Sequence, residues 1–169
     1  MTKGRRQDHV TVTRDDGSRA DFSFAKKGPY PHDAFHFFVE RALKMQGGFW
    51  GLVASGKAPG DVQALALAGG HASAKRAGTP DPGIVQLLQA ERLVECFEAG
   101  SWGGGADDAM IMAMAEPAWA TSLVPPPSGV PAALSAIREG LDPFVEAWTD
   151  LPEGQTLELE WPDTAGEPA

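Results

Sequence analysis

The segment whose residue types and spacing could support chemistry is Pro31–Glu40, which contains His32, His36 and Glu40. If this segment is helical, residues four apart project from neighbouring turns on one side of the helix. Two imidazoles at that spacing can bind the same divalent metal ion, and Glu40 could supply a third ligand. Zinc, iron and manganese all accept nitrogen and oxygen ligands, so the pattern predicts a divalent metal such as zinc without selecting the element.

Asp33 follows the first histidine, at the position where zinc peptidases with the His-Glu-x-x-His pattern carry a glutamate base. Aspartate is one methylene shorter, so its carboxylate would lie farther from a metal-bound water, which weakens a peptidase interpretation. We instead expect Asp33 to orient a histidine ligand or to act as a base. The third histidine of the longer peptidase pattern is also missing, since His71 is the only histidine that follows.

A second group of candidate ligands lies on the helix predicted to begin at Pro82, where Glu91 and Glu95 fall within an apolar arc. Burying two carboxylates without a partner is costly, so something should compensate their charge. A cation shared with the two histidines would do so, as in helical bundles that hold metals between facing helices. The alternatives are that Arg92 or Arg76 neutralises the glutamates, or that this arc lies at the edge of the domain.

The histidine-bearing helix also has an interpretation without a metal. Phe35, Phe38 and Val39 share one arc of the helical wheel, and both histidines lie on the opposite, polar side. That side would then be an ordinary solvated face. Two apolar residues within it, Phe37 and Leu43, indicate that a second element covers this face. The helix that carries Glu91 and Glu95 is the best candidate.

The elements that must position these residues form an α+β fold. Alternating apolar residues predict a β-hairpin over residues 9–14 and 19–25, joined by Asp15-Asp16-Gly17, and a C-terminal strand over 156–161. Helices are expected over 31–45, 61–68, 81–100, 107–119 and from 130 onward, with Asp142-Pro143 kinking or restarting the last one. The simplest assembly is a small antiparallel sheet of the hairpin and the C-terminal strand, packed against about four to five helices. We expect a single domain over residues 1–169, with frayed tails at about 1–7 and 163–169.

Composition excludes several classes of protein. The 169 residues carry a net charge of -9, which argues against a general nucleic-acid or anionic-membrane surface. No apolar run approaches the roughly 20 residues of a membrane span. A single cysteine, Cys96, permits no intrachain disulfide and suits a reducing, cytoplasmic setting.

No complete catalytic set is visible in the sequence. The favoured interpretation is therefore a non-enzymatic acidic domain that acts through protein–protein contacts, as a homodimer whose interface uses exposed members of an aromatic set, Phe49, Trp50, Trp102 and Trp119. The alternative is a divalent-metal-binding protein, extending to a metal-dependent hydrolase, that uses His32 and His36 and either Glu40 or one of Glu91 and Glu95. No pattern indicates a small-molecule ligand.

Overall fold

The computed structural model describes residues 1–68, 79–102 and 105–162. These residues form a two-stranded antiparallel sheet and six α-helices, which confirms the α+β class. The elements are β1 (Gln7–Thr13), β2 (Arg19–Ala25), α1 (His32–Ala42), α2 (Phe49–Ala54), α3 (Pro59–Ala68), α4 (Val85–Trp102), α5 (Asp108–Thr121) and α6 (Val130–Asp150). Predictions that concern His71, Arg76 or the tail at 163–169 lie outside the described residues.

The N-terminal hairpin forms as predicted. Thr13 pairs with Arg19, and the chain reverses through Gly17, whose φ of 81° is a conformation that glycine adopts without strain. The Asp16 carboxylate accepts a hydrogen bond from the Ser18 backbone N–H and closes the turn. Val10 and Val12 therefore face the helices, while Thr11 and Thr13 face solvent.

The predicted C-terminal strand is not part of the sheet. Residues 156–161 do alternate between exposed and half-buried side chains, but within the described chain they meet the sheet only through Thr2, which bridges both His9 and Thr156. The first residues thus form a short link between β1 and the C-terminal segment. Met1 is buried and its carbonyl accepts from the Leu157 N–H, so the start of the expected frayed tail at 1–7 is held in place.

Helix α1 ends earlier than its apolar spacing predicts, at Ala42 instead of about Met45. Lys44 adopts a positive φ of 52°, and the Met45 N–H reaches back to the Glu40 carbonyl. This left-handed residue turns the chain so that the following segment returns along α1. The short apolar run that follows, which has no clear sequence signature, becomes α2.

Helices α4 and α5 follow aspartate caps, whereas α3 begins at Pro59, two residues before the predicted start at Asp61. Asp81 accepts a hydrogen bond from the Gly83 N–H and starts a 3-10 turn, Pro82–Ile84, that leads into α4. Asp107 caps α5 in the same way through the Met110 N–H. Helix α6 continues through Pro143 as one element, so the predicted restart is wrong.

The core lies where α1 packs against α2, α4 and α6. The buried face of α6 follows the predicted spacing, with Phe144 tilted against Phe38 and stacked on Trp148. Phe49, Trp50 and Trp119 are also buried, so these three aromatics form core and not the expected interface. The side chain of Trp102 lies outside the described set. Among the described residues, no helix combines the length and apolar character needed to cross a bilayer.

We predict that Gly140→Ala destabilises the fold even though alanine favours helices. A Cβ at position 140 would lie within 3.0 Å of the buried Phe38 ring and the Arg41 guanidinium, where α6 approaches α1. We expect chemical denaturation to show a loss of about 1–3 kcal/mol in the free energy of unfolding.

Gly60→Ala in α3 is the matched control, because a Cβ there meets open space. It should raise the free energy of unfolding by up to about 1 kcal/mol. Equal stability of the Gly140→Ala variant and the parent would contradict the close packing of α6 on α1.

Candidate metal centre

Helix α1 is buried on both its apolar and its histidine-bearing sides. Every residue from Ala34 to Glu40 is buried, including His36 and Glu40. The interpretation of the histidine side as a solvated face is therefore wrong. Helix α4 covers this side, as the sequence pattern predicts, and brings Glu91 against both histidines.

Three ligand atoms from these two helices converge on one point. His36 Nε2 lies 3.2 Å from His32 Nε2 and 3.0 Å from Glu91 Oε2, and the remaining side, between His32 Nε2 and Glu91 Oε2, measures 3.6 Å. Three of the predicted ligands thus meet. They form the one group among the described residues with the spacing needed to hold a metal ion.

Glu40 is not a ligand, contrary to the prediction from its spacing. Its Oε1 lies 3.0 Å from His36 Nδ1, and the carboxylate also accepts the backbone N–H groups of Phe49 and Trp50, at 3.0 and 2.7 Å. The carboxylate is therefore an acceptor, so His36 Nδ1 must donate to it. This hydrogen bond turns His36 Nε2 toward Glu91.

Glu98 plays the corresponding part for the other histidine, and the sequence interpretation missed it. Its Oε1 lies 3.0 Å from His32 Nδ1. Glu98 is seven residues after Glu91, which on a helix places the two carboxylates on the same side, two turns apart. That spacing is the signal in the sequence that could have identified it.

Glu95, also predicted as a ligand, lies outside the cluster. It pairs with Arg92 at 2.8 Å, and 44% of its side chain is exposed to solvent. The alternative that Arg92 neutralises a glutamate is thus confirmed for Glu95, whereas Glu91 faces the histidines. Over the four residues after Glu91 the helix makes one full turn and about 40° more. This rotation is enough to point the Glu95 side chain to one side of the cluster.

Asp33 does not orient either histidine, because Glu40 and Glu98 hold both Nδ1 atoms. Burial raises the pKa of Asp33, and the positive charges of His36 and His32 oppose that rise. Its carboxyl group therefore lies in the electrostatic field of both rings. Its suggested role as a base stays a prediction.

The pKa values of the cluster report a strongly negative environment. Burial disfavours the charged imidazolium, but hydrogen bonds to Glu91 and Glu98 outweigh it and raise the pKa of His32 to about 9. Glu40 and Glu91 likewise overcome burial and raise the pKa of His36 to about 10. Burial would also raise the pKa of Glu91, yet both histidines hold it well below its usual range.

The triangle of ligand atoms has the size that a metal ion requires. Sides of 3.2, 3.0 and 3.6 Å define a circle of about 1.9 Å radius, so a point 2.0–2.1 Å from all three atoms lies slightly above their plane. These are ordinary zinc–nitrogen and zinc–oxygen distances. Three ligands leave one position of a tetrahedral zinc ion to be filled by a further group.

No protein-family model, curated protein or solved structure matches this chain, so its function is argued from its own residues.

In chelator-treated protein we predict that the free energy of unfolding falls as the pH rises from about 6.5 to about 10. The folded cluster retains ring protons that the unfolded chain releases near pH 6.5, because the pKa values of His32 and His36 are raised to about 9 and about 10. This stabilisation is complete below pH 6.5 and is lost above the folded-state values. We expect a loss on the order of 3 kcal/mol, measured by denaturation at several pH values.

His36→Gln should flatten this pH dependence, because it removes the more buried of the two rings. His9→Gln, at an exposed histidine on β1, is the control and should leave the profile in place. A profile that His36→Gln does not change would contradict the raised pKa.

Proposed function

We propose that this protein binds one divalent transition metal ion through His32 Nε2, His36 Nε2 and Glu91 Oε2, with zinc as the best fit. The observation that carries the proposal is the convergence of these three atoms within 3.0–3.6 Å of one another on two packed helices. This proposal takes up the alternative interpretation of the sequence, with Glu91 in place of Glu40 as the carboxylate ligand.

The hydrogen bonds of the two histidines support a cation between the three ligand atoms. Glu40 and Glu98 accept the Nδ1 protons of His36 and His32, so each neutral ring presents an unprotonated Nε2. Together with the Glu91 oxygen, three electron pairs then face one another at close range. This arrangement is repulsive unless a proton or a metal ion lies between them.

The two outer carboxylates also follow the usual construction of a metal site. Histidine ligands commonly donate their second ring N–H to a carboxylate, which fixes the tautomer and makes the ligand nitrogen more basic. Here both histidines have such a partner. An ordinary surface ion pair would not require both Nδ1 atoms to be held while both Nε2 atoms point at each other.

The charge balance favours exchange of protons for a metal. Glu40, Glu91 and Glu98 surround the two rings, so a divalent ion replaces two ring protons without changing the net charge of the cluster. Metal binding should therefore release protons and strengthen as the pH rises.

Zinc fits the ligand spacing best. Tetrahedral zinc with bonds of 2.0–2.1 Å separates its ligands by about 3.3 Å, whereas octahedral ligands at right angles lie about 3.0 Å apart. The sides of the triangle, 3.0, 3.2 and 3.6 Å, lie on average close to the tetrahedral separation, although the shortest equals the octahedral one. Two histidines and one carboxylate are also a ligand set of catalytic zinc sites.

Partial exposure of two ligands favours hydrolysis as the class of reaction, if the fourth position is open to water. His32 retains 24% and Glu91 18% of its side-chain exposure, so water and small molecules can approach from this side. A zinc ion with three protein ligands activates water in its fourth position. The proposal therefore includes a metal-dependent hydrolase, with the reaction occurring at the exposed edge of the α1–α4 contact.

We predict that protein purified without a histidine tag binds one equivalent of zinc, measured by elemental analysis and competition titration. His36→Ala, His32→Ala and Glu91→Gln should each weaken binding at least about 100-fold, because each removes a ligand. Glu40→Gln and Glu98→Gln should weaken it about 10- to 100-fold, since they remove only the partners of the rings.

Glu95→Gln and His9→Ala are matched controls and should retain the parent affinity, because neither side chain reaches the cluster. Circular dichroism should show that each variant is folded; His32→Ala is the mildest ligand variant, since this ring is partly exposed. Zinc affinity that survives both histidine substitutions would disprove the site.

We further predict that azide binds to the cobalt-substituted protein. Cobalt(II) in a zinc site has visible absorption bands that respond to its coordination, so azide entering the fourth position should shift them. The His36→Ala protein treated identically should show no such bands. Bands that appear but do not respond to azide would mean that the fourth position is filled by the protein, which would disprove the open site while leaving metal binding intact.

A further inference from the structure

We propose that a cleft between β1 and the C-terminal segment binds an extended peptide in which basic and apolar residues alternate, as an added β-strand. The cleft has a volume of about 1060 Å3 and lies between residues 10–15, at the outer edge of β1, and residues 157–162 of the C-terminal segment. We call it the strand gap. Its floor is apolar and includes Phe37, Trp50 and Val53.

At one end, residues 1–3 of the chain fill the strand gap, and there the gap has the width of a single strand. Thr2 exchanges two backbone hydrogen bonds with His9, of 2.7 and 3.0 Å. On the other side, Lys3 N–H donates to the Gln155 carbonyl and Leu157 N–H donates to Met1, both at 2.9 Å. Residues 1–3 therefore lie as a strand between the two walls, which holds them about 9.6 Å apart. Beyond Met1 both walls continue.

Both walls present unpaired backbone groups to the strand gap. His9 directs its N–H and C=O groups to Thr2, so by the alternation of an antiparallel ladder Thr11 and Thr13 direct theirs to the same edge. Leu157 faces residue 1 in the same manner, which places Leu159 and Trp161 next along the opposite wall. Within the described chain, no backbone hydrogen bond connects these four residues across the gap. Unpaired strand edges of this kind accept a further strand.

The side chains of the walls specify which peptide fits. Thr11 and Thr13 lie opposite Glu158 and Glu160 on the solvent side, and both glutamates are exposed. Neither forms a close ion pair within the described residues, although burial lowers the pKa of the Met1 ammonium group and Glu158 lies near enough to oppose that shift. Lysine or arginine at these positions of an inserted strand would pair with them. The net charge of -9 adds a longer-range attraction for a basic segment.

The inward positions of an inserted strand would meet apolar neighbours. Val12 and Leu159 are half-buried on this side of the two walls and pack against the core. An apolar residue placed between them would cover the ring of Trp50 on the floor. An inserted strand that continues the line of Met1 should therefore carry the residue pattern apolar, basic, apolar, basic.

A second copy of this chain fits the strand gap poorly. The free edge of the hairpin, β2, would present Arg19, Asp21 and Ser23 at its solvent-facing positions. Asp21 would then lie beside a glutamate of the wall, which is destabilising. We therefore assign the gap to a segment of another protein. This proposal does not depend on metal binding. It names a surface for the protein–protein contacts that the sequence interpretation favours.

The test uses the 169-residue chain, labelled with nitrogen-15, and the synthetic peptide acetyl-Val-Lys-Val-Lys-amide. Saturable chemical-shift changes should centre on the strand gap, and hydrogen exchange should slow at the amides of Thr11, Thr13, Leu159 and Trp161. The control peptide acetyl-Val-Glu-Val-Glu-amide should not bind, because its charges oppose the walls.

The double variant Glu158→Lys/Glu160→Lys should weaken binding of the lysine peptide about tenfold or more, since two cross-strand charge pairs become repulsive. Glu116→Lys/Glu146→Lys, at exposed glutamates of α5 and α6, makes the same change in net charge and should retain the parent affinity.

Absence of saturable shifts, or equal weakening by both double variants, would overturn the proposal. Protection of the same amides that rises with protein concentration alone, together with a doubled mass in light scattering, would also overturn it and assign the gap to a second copy.

Discussion

One buried carboxylate, that of Glu40, joins the parts of this structure on which the rest depends. It has no solvent exposure, and it accepts hydrogen bonds from His36 and from the first two N–H groups of α2. A carboxylate with three such donors is compensated in the interior, and its charge favours the start of a helix. Helix α2 has only six residues and no cap from Gly48, so this contact determines where it begins. Gly48 itself must lack a Cβ, which would overlap the Glu40 side chain.

The same contact determines what His36 can do. Because Glu40 holds Nδ1, only Nε2 is available to face Glu91, and Glu98 imposes the same condition on His32. The carboxylates of Glu40 and Glu98 thus fix the tautomers of the two histidines. These tautomers direct both Nε2 atoms toward one common point. Two ring protons satisfy these negative surroundings, and the proposed divalent ion would satisfy them equally in the same protein geometry.

The residues that the sequence could identify were those whose roles depend on local spacing. His32 and His36 lie four apart on one helix, and Glu91 stood out because it interrupts an apolar arc, so both signals are contained in single helices. Whether a carboxylate faces the Nδ1 or the Nε2 atom of a histidine depends on contacts between helices. Glu40 could not be distinguished from a ligand without knowing that the N–H groups of α2 reach it.

The sheet illustrates the same limit for the fold. The hairpin follows from alternation and a turn within 19 residues of sequence, and it was predicted correctly. Residues 156–161 also alternate, but alternation shows only that one side of a segment is covered and does not name its neighbour. Here that neighbour is the start of the chain, more than 150 residues away. The C-terminal segment therefore stands one strand away from β1, and the strand gap is the consequence of that offset.

Trp50 lies between the proposed metal centre and the strand gap, and its contacts argue that the two proposed sites would act separately. Its backbone N–H donates to Glu40, its indole N–H donates to the Asp33 carbonyl at 2.8 Å, and its ring forms part of the floor of the gap. Coupling between sites requires an element with two discrete arrangements that both ligands bias. Trp50 is buried, with both N–H groups bonded and its ring packed edge-on against Phe37 and Phe49. An element fixed by so many simultaneous contacts holds both sites in place without transmitting a change from one to the other.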